Sequence, residues 1–210
     1  MNQPGDPFGT PRMKQYSEAC EENKDPILDV LRRELADCRT VLEIGSGTGQ
    51  HAVYFSRHLP HLTWQPSDLE INHASIDAWR CESGLANLLP PLLLDVAGNH
   101  WPNCQVDSVF SANTTHIMAW PAVVAMITGI GGILKRGGIF CLYGPFNYNR
   151  CYTSDSNARF DQWLKQRDPL SGLRNFEDLV ELGSGRGLYL KQDYAMPVNN
   201  RLLVWQTAAE

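Results

Sequence analysis

The chain has 210 residues, 43% of them hydrophobic and 20% charged, which is typical of a globular protein of single-domain size. Its net charge is −5, and its longest basic clusters are pairs, such as Arg32 and Arg33. This distribution gives no electrostatic basis for binding nucleic acid or an anionic membrane, so we expect neither as a partner.

The cysteines and histidines are scattered along the chain. Six of each occur, but there is no CxxC pair and no histidine pair at a spacing that suits a metal. We therefore expect no metal and reduced thiols, as in a cytoplasmic protein.

Residues 1–13 contain proline and glycine but no apolar segment like that of a secretory signal. They are predicted to be a loose leader before one domain at 14–210.

The pattern of apolar residues predicts helices and strands in alternation. Asp25 and Pro26 suit an N-cap and the first helical position, so the first helix is predicted to begin there. The uncharged run 118–134 contains Pro121 and is short for a membrane span, so it is interpreted as a buried helix. In chain order the remaining predictions are strand 40–44, a helix ending before Pro60, strand 62–65, helix 70–82, strands 92–96 and 106–112, strand 139–143, helices near 157–166 and 175–182, and strands near 188–195 and 201–206.

Strands separated by helices predict parallel pairing with helices on both faces of the sheet. The last two strands are joined by only a few residues around 197–200, so they are predicted to form an antiparallel hairpin. The fold class is therefore α/β, a Rossmann-like doubly wound sheet of seven strands, mostly parallel with an antiparallel hairpin at its end.

Two similar glycine-rich strings occur, VLEIGSGTGQH at 41–51 and LVELGSGRG at 179–187. The first follows a predicted strand and precedes a predicted helix, as a nucleotide-binding loop requires. Its glycines would expose amide groups that favour an anionic or carboxylate-bearing ligand. The second follows a predicted helix and is interpreted as a helix end and turn.

The first string has the spacing G-x-G-x-G, and Gln50 stands where a dinucleotide loop has its third glycine. This weakens a nicotinamide assignment without excluding it. With Glu43 before the glycines, the string resembles the first motif of class I S-adenosylmethionine-dependent methyltransferases, and the terminal hairpin is similar to theirs.

The resemblance implies a role for acidic residues after the second and third strands. Asp68 would hold the ribose hydroxyls, and Asp95 with Val96 would contact adenine. Asn113 would lie near the methionine end of the cofactor. The cofactor candidates are Glu43, Gly45, Ser46, Gly47, Gly49, Asp68, Leu69, Asp95, Val96, Asn113, and, in a lid before the first strand, Asn23 and Lys24. Lys24 alternatively points into solvent.

A closer resemblance is to the methyltransferase-like protein 26 family, whose members are methyltransferases of unassigned substrate. It is carried by segments such as WQPSD at 64–68, GPFNY at 144–148 and SNARFD at 156–161, over about residues 14–206. It implies the fold and the cofactor and names no substrate.

Candidates for catalysis and acceptor binding follow the fourth and fifth strands. His116 suits a general base, but local hydrogen bonding or packing against Trp120 is the simpler explanation of a histidine in this loop. The sequence at 113–116, NTTH, lacks the Asn-Pro-Pro-Tyr type of loop, which disfavours nucleobase or amide nitrogen as acceptor. The other candidates, which solvated loops or a helix cap explain as well, are Tyr148 for catalysis and Asn147, Arg150, Asn157, Arg159 and Arg174 for substrate.

The sequence thus favours an S-adenosylmethionine-dependent methyltransferase acting on a small molecule. A nicotinamide oxidoreductase and a non-catalytic protein that binds S-adenosylmethionine are the alternatives. The oligomeric state is left open.

Overall fold

A computed structural model of the protein describes residues 14–98 and 101–209, so the predicted leader at 1–13 lies outside the described residues. Within these ranges the chain forms six helices and nine strands. The helices are α1 (Glu18–Glu34), α2 (Gln50–His58), α3 (Glu70–Ser83), α4 (Trp120–Ile133), α5 (Asp155–Arg167) and α6 (Phe176–Ser184). The strands are β1 (Thr40–Ile44), β2 (Thr63–Asp68), β3 (Leu92–Leu93), β4 (Val106–Ala112), β5 (Leu134–Gly144), β6 (Phe146–Asn147), β7 (Arg174–Asn175), β8 (Leu188–Ala195) and β9 (Arg201–Thr207).

Seven of the strands form one sheet in the order β3-β2-β1-β4-β5-β9-β8. Neighbours from β3 to β5 pair in parallel, whereas β9 runs antiparallel to both β5 and β8. The predicted fold class, with its terminal hairpin, is confirmed. The strand order reverses between β1 and β4, and ligands of open α/β sheets bind at such a switch point.

Both faces of the sheet are buried, because successive residues of a strand point to opposite sides. In β5, Cys141 and Tyr143 pack into the core beneath α1 and α2, while Phe140 and Leu142 pack into the core beneath α4 and α6. The helices therefore hold the sheet between two apolar layers and fix the ends of its strands.

The first helix begins earlier than its local signals indicate. Asp25 and Pro26 were expected to start it, but α1 begins at Glu18 and contains Pro26. A proline inside a helix has no amide hydrogen for the carbonyl four residues earlier, at a cost of about 3 kcal/mol. The buried side chains of Ile27 and Leu31 offset that cost by packing against the sheet.

Other local predictions agree with the structure. The second glycine string forms the end of α6 and a turn, with Gly187 in the left-handed region at φ 76°. The uncharged run forms α4, whose Val123 and Met126 are buried.

No helix in the described ranges is long and apolar enough to cross a membrane.

Two further features hold distant segments together. The carboxylate of Glu34, at the end of α1, accepts hydrogen bonds from Lys191 Nζ at 2.9 Å and Tyr194 Oη at 2.5 Å on β8. The short parallel pair β6 and β7 was not predicted, and it links the segment after β5 to the one before α6.

Candidate active site

A cavity of about 930 Å³ opens at the carboxyl ends of the central strands, where the strand order reverses. Its wall is built by the loops after β1, β2, β3 and β4, by α1 and α5, and by the β8–β9 turn. The volume lies at the upper end of the range for small-molecule sites. It can therefore hold a nucleoside-sized ligand together with a second small molecule.

The glycine loop after β1 needs glycine for two different reasons. Gly45 has φ 73°, and a Cβ atom there would lie 2.4 Å from Cγ2 of Thr114, so a side chain is excluded. Gly47 has φ 55°, and a Cβ atom there would meet no atom within 4 Å. Because Gly47 lines the cavity, its missing side chain leaves space for a ligand to approach the backbone.

The amide groups of this loop are already bonded within the protein. The amides of Gly45 and Ser46 donate to the carbonyl of Ser67, at 3.0 and 3.1 Å. The Gly47 amide donates to Oδ2 of Asp68 at 2.7 Å. The expectation that free amides favour an anionic ligand is therefore wrong for these three amides, because each already donates a hydrogen bond to a residue at the end of β2.

Asp68 and Asp95 both lie in the cavity wall, with Leu69 and Val96 beside them. The carboxylate of Asp68 also accepts hydrogen bonds from the Leu69 amide at 2.7 Å and from Asn72 Nδ2 at 2.8 Å. An ionised carboxylate has about four lone-pair sites, so Asp68 retains capacity for a ligand hydroxyl. The side chain of Asp95 is exposed and accepts a hydrogen bond from the Ala97 amide at 3.0 Å.

Glu43 lies behind the glycine loop and not in the cavity wall, which corrects the expectation of direct ligand contact. Only 2% of the residue is exposed, and its Oε2 accepts a hydrogen bond from Trp64 Nε1 at 2.9 Å. Burial raises the pKa of the Glu43 carboxyl to about 7, because removal from water disfavours the charge. Glu43 therefore supports the loop from within the core.

Two other cofactor candidates lie outside the wall. Gly49 packs against α3, since a Cβ atom there would lie 2.8 Å from Cα of Ile76. Lys24 is bonded to Glu21, and its Nζ lies 5.0 Å from the ring centroid of Tyr54. Both residues organise the structure around the cavity, and neither faces the space inside it.

The first helix supplies one side of the cavity, including Cys20 and Asn23. Asn23 Oδ1 lies 2.7 Å from Nε2 of His51, a buried histidine whose pKa is lowered to about 4 by desolvation. Gln50 holds the start of this helix, because its side chain bonds the backbone of Ser17 and Glu21 Oε1. Gln50, which stands where a dinucleotide loop has its third glycine, thus connects the glycine loop to α1.

His116 lies in the cavity wall on the loop after β4, with Asn113 nearby. Within the described residues its Nδ1 atom is buried without a hydrogen-bond partner. Desolvation lowers the pKa of the imidazole to about 4, which keeps it neutral near pH 7. Its ring meets Phe160 edge-on at 5.3 Å rather than packing against Trp120 as one expectation held.

Arg174 holds the His116 loop and does not face the cavity. Its guanidinium donates to the carbonyls of Thr115 at 2.9 Å and Leu170 at 3.1 Å, and to that of Met118. The expectation that Arg174 binds the substrate is corrected, because backbone carbonyls occupy its donors.

The candidates at 147–150 also lie outside the cavity wall. Tyr148 Oη donates to Asp193 Oδ2 at 2.8 Å, and the ring stacks on Phe176 at 4.8 Å. Burial and the carboxylate of Asp193 raise the Tyr148 pKa, which makes it a poor proton acceptor or donor near neutral pH. Asn147 lies in β6, and the exposed Arg150 approaches Asp178 at 3.8 Å.

Helix α5 faces the cavity with one side. Asn157, Phe160 and Trp163 line the wall, whereas Arg159 is exposed on another side of the helix and does not line it. The N-cap of α5 is Ser154, whose Oγ accepts a hydrogen bond from the Asn157 amide at 3.2 Å, so Asn157 does not cap the helix. The cavity therefore contacts an amide and two aromatic rings of this helix.

The charged side chains that line the cavity are all acidic within the described ranges: Glu22, Asp68 and Asp95, with no lysine or arginine. Among the described residues, no group of three or more histidine, cysteine, aspartate or glutamate side chains is placed to hold a metal ion. The wall therefore favours a ligand with positive charge over a phosphate.

Sequence reasoning missed Thr114, Phe160 and Trp163 as wall residues. A hydroxyl in a loop and aromatic residues at helical spacing carry no motif, and only the fold brings them together.

The sheet order, the antiparallel last strand and the glycine loop define the fold as that of class I methyltransferases. An O-methyltransferase family protein from Burkholderia thailandensis matches with TM-score 0.79 and 18% identity over 89% of this chain and 56% of its own. An O-methyltransferase family 2 protein from Planctomyces limnophilus in complex with apigenin matches with TM-score 0.79 and 13% identity over 90% and 58%. PigF with SAH matches with TM-score 0.74 and 14% identity over 87% and 55%.

The chain spans only slightly more than half the length of these structures. At such identities the likeness establishes the fold and not the reaction. The chain itself belongs to the DUF938 family, described as a protein of unknown function, whose model matches residues 14–207.

Proposed function

We propose that the protein transfers a methyl group from S-adenosylmethionine to a small-molecule acceptor, as a member of the methyltransferase-like protein 26 group. The charge of the cavity carries this proposal. Three carboxylates and no lysine or arginine of the described residues line it, and the amides of Gly45, Ser46 and Gly47 are already bonded.

This wall discriminates between the two candidate nucleotides. A dinucleotide carries a pyrophosphate, which requires free amides or basic side chains. The sulfonium and ammonium groups of S-adenosylmethionine are positive, so the acidic wall favours them. The same observation disfavours the nicotinamide oxidoreductase alternative.

The residues present suit S-adenosylmethionine in other respects. Asp68 has a lone pair left for a ribose hydroxyl, and the open side of Gly47 gives access to the loop backbone. Leu69 and Val96 offer apolar contacts for a flat base, and Asn113 lies further along the wall. When bound, the sulfonium supplies an activated methyl group, so the protein mainly has to orient the acceptor and exclude water.

His116 is the group that would accept the acceptor's proton. Its imidazole is neutral near pH 7 and lies in the wall of the cavity. An unprotonated imidazole in the wall is free to accept a proton, although its lowered pKa makes it a weaker base than an ordinary histidine; general-base catalysis is worth about 10²- to 10⁴-fold in rate. We place the reaction in the cytoplasm, in agreement with the reduced thiols that the sequence predicts.

Titration calorimetry with S-adenosylhomocysteine, and separately with NADH, tests the proposal. We expect saturable binding of S-adenosylhomocysteine and none of NADH. Saturable NADH binding without a response to S-adenosylhomocysteine would refute it.

Asp68→Asn should weaken S-adenosylhomocysteine binding, because the amide has one accepting oxygen instead of two and its hydrogen bonds are not strengthened by a charge. Asp37→Ala, which alters an exposed aspartate outside the cavity, is the control. Thermal unfolding of both variants separates a binding defect from a folding defect. Equal affinity in Asp68→Asn and wild type would rule out the ribose role.

The non-catalytic alternative has a separate test. Incubation with S-adenosylmethionine carrying a labelled methyl group and a panel of small metabolites measures transfer directly. We expect transfer to a panel member that His116→Gln lowers by the factor expected for a general base.

A further inference from the structure

We propose that the acceptor is an uncharged aromatic compound whose hydroxyl group meets His116, with its ring between helix α5 and the loop after β4. This deepens the proposed function and rests on it. We call this part of the cavity the aromatic end, and its residues are His116, Ile117, Met118, Phe160, Trp163 and Leu164.

The aromatic end has large apolar side chains that face open space. Trp163 is 47% exposed and Ile117 is 58% exposed, although both line the cavity. The rings of Phe160 and Trp163 are stacked at 17° with centroids 5.9 Å apart. Apolar surface gathered at the mouth of a cavity marks a ligand-binding surface, and parallel rings favour a flat partner.

The turn between β8 and β9 adds an unusual apolar residue to the same cavity. Val198 is 79% exposed and has φ 57°, in the left-handed region that β-branched residues avoid. Asn199 beside it has the same φ, which agrees with a hairpin turn that usually contains asparagine and glycine. Valine in this conformation lowers the stability of the fold. Because Val198 lies in the cavity wall, we interpret it as a contact for the ligand.

The polar group of the aromatic end is the imidazole of His116, whose Nδ1 has no hydrogen-bond partner among the described residues. His116 lines the cavity, so a ligand hydroxyl inside the cavity can approach its ring. A hydroxyl group is the donor of suitable size and charge.

The wall offers no ion-pair partner to an anionic acceptor. Its charged side chains are acidic and no lysine or arginine of the described residues lines it, while Arg167 stacks over Trp163 with its Cζ 4.6 Å from the ring centroid. A carboxylate or phosphate on the acceptor would therefore lose its hydration without gaining a basic partner in the wall. An acceptor without negative charge is therefore favoured.

The transfer balances with these groups. The hydroxyl oxygen forms the new bond to the methyl carbon with its own lone pair, and its proton passes to the imidazole of His116. The bond between that carbon and sulfur breaks, its electron pair stays on sulfur as a thioether, and the histidine later returns the proton to water.

Three compounds of similar size test the flat ring and the uncharged hydroxyl separately: 2-naphthol, 2-naphthoate and decahydro-2-naphthol. Each is titrated by calorimetry into the protein saturated with S-adenosylhomocysteine. We expect 2-naphthol to bind at least tenfold more tightly than the other two, because only it combines a flat ring with a neutral hydroxyl. Equal or tighter binding of the carboxylate or the saturated alcohol, or no binding of 2-naphthol, would overturn the proposal.

Variants of the aromatic end test where 2-naphthol binds. Trp163→Ala should weaken 2-naphthol binding roughly tenfold, whereas Gln162→Ala, the exposed neighbour outside the cavity, should not change it. In wild type 2-naphthol should bind more tightly than 2-methoxynaphthalene, and His116→Leu should abolish that difference. An unchanged preference in His116→Leu, or an unaffected Trp163→Ala, would contradict the assigned orientation.

Failure of this proposal and failure of the proposed function give different experimental results. Failure of S-adenosylhomocysteine to bind refutes the methyltransferase assignment itself. Binding of S-adenosylhomocysteine without the predicted order of probes refutes only the acceptor class.

Discussion

The side chain of Gln50 binds both backbone groups of Ser17: its Oε1 accepts from the Ser17 amide at 2.6 Å, and its Nε2 donates to the Ser17 carbonyl at 3.3 Å. Nε2 also donates to Glu21 Oε1 at 2.9 Å. One residue at the start of α2 therefore fixes the beginning of α1, and with it one side of the cavity.

Gln50→Ala should weaken S-adenosylhomocysteine binding about tenfold, since the lost hydrogen bonds each contribute about 1 kcal/mol to holding the wall. Calorimetry measures the affinity, and hydrogen exchange at residues 17–24 measures the loosening of α1. Gln192→Ala, at an exposed position on β8, is the control. Faster exchange without a loss of affinity would show that α1 does not contribute to the site.

Glu43 predicts a dependence of stability on pH. Its folded-state pKa is raised from 4.5 to about 7, so the folded protein binds more protons than the unfolded chain between these values. Its contribution to stability is thus full below pH 4.5 and falls by about 3 kcal/mol as pH rises through 7.

Glu43→Gln removes this dependence, and its amide oxygen can still accept from Trp64. Relative to wild type, the variant should gain about 3 kcal/mol in free energy of unfolding between pH 4.5 and pH 8. Urea denaturation at both pH values gives the comparison. A constant difference between the two proteins would contradict the raised pKa.

His51 and His116 predict the opposite dependence. Each has a folded-state pKa lowered from 6.5 to about 4, so the unfolded chain binds more protons in that window. The stability that each contributes is full above pH 6.5 and is lost as pH falls toward 4, by up to about 3 kcal/mol. Nuclear magnetic resonance of the imidazole protons, assigned with His51→Gln and His116→Gln, should find both rings neutral at pH 5. A midpoint near 6.5 for either ring would be incompatible with its burial.

Arg174→Ala leaves three backbone carbonyls without their donor and should destabilise the fold by about 3 kcal/mol, because bonds from a charged group are strong. Arg159→Ala, at an exposed position of α5, should change stability by less than about 0.5 kcal/mol. Chemical denaturation of both variants is the measurement. Similar effects in the two would argue against the support of the His116 loop by Arg174.

The sheet was predictable because its strands carry their own signals. Residues 40–44, 106–112 and 188–195 were predicted with the bounds that β1, β4 and β8 have. Short, nearly continuous apolar runs are typical of buried parallel strands. The short link between the last two strands requires a hairpin.

The start of α1 and the roles of the charged residues were not predictable in this way. Pro26 is a local signal for a helix start, but the burial of Ile27 and Leu31 depends on the sheet, which lies elsewhere in the sequence. Glu43 and Arg174 were expected to contact ligands because charges in loops and motifs often do. Whether such a group faces a cavity or the backbone is decided by tertiary packing, which a single sequence does not reveal.

The bonds from Glu34 to Lys191 and Tyr194 join residues 157 and 160 positions apart. Synthesis on the ribosome produces α1 before β8 exists, so these anchors form only after nearly the whole chain has emerged. Since α1 is one side of the cavity, the nascent protein acquires its complete binding site at the end of folding, and a chain truncated before β8 has a glycine loop without that anchored wall.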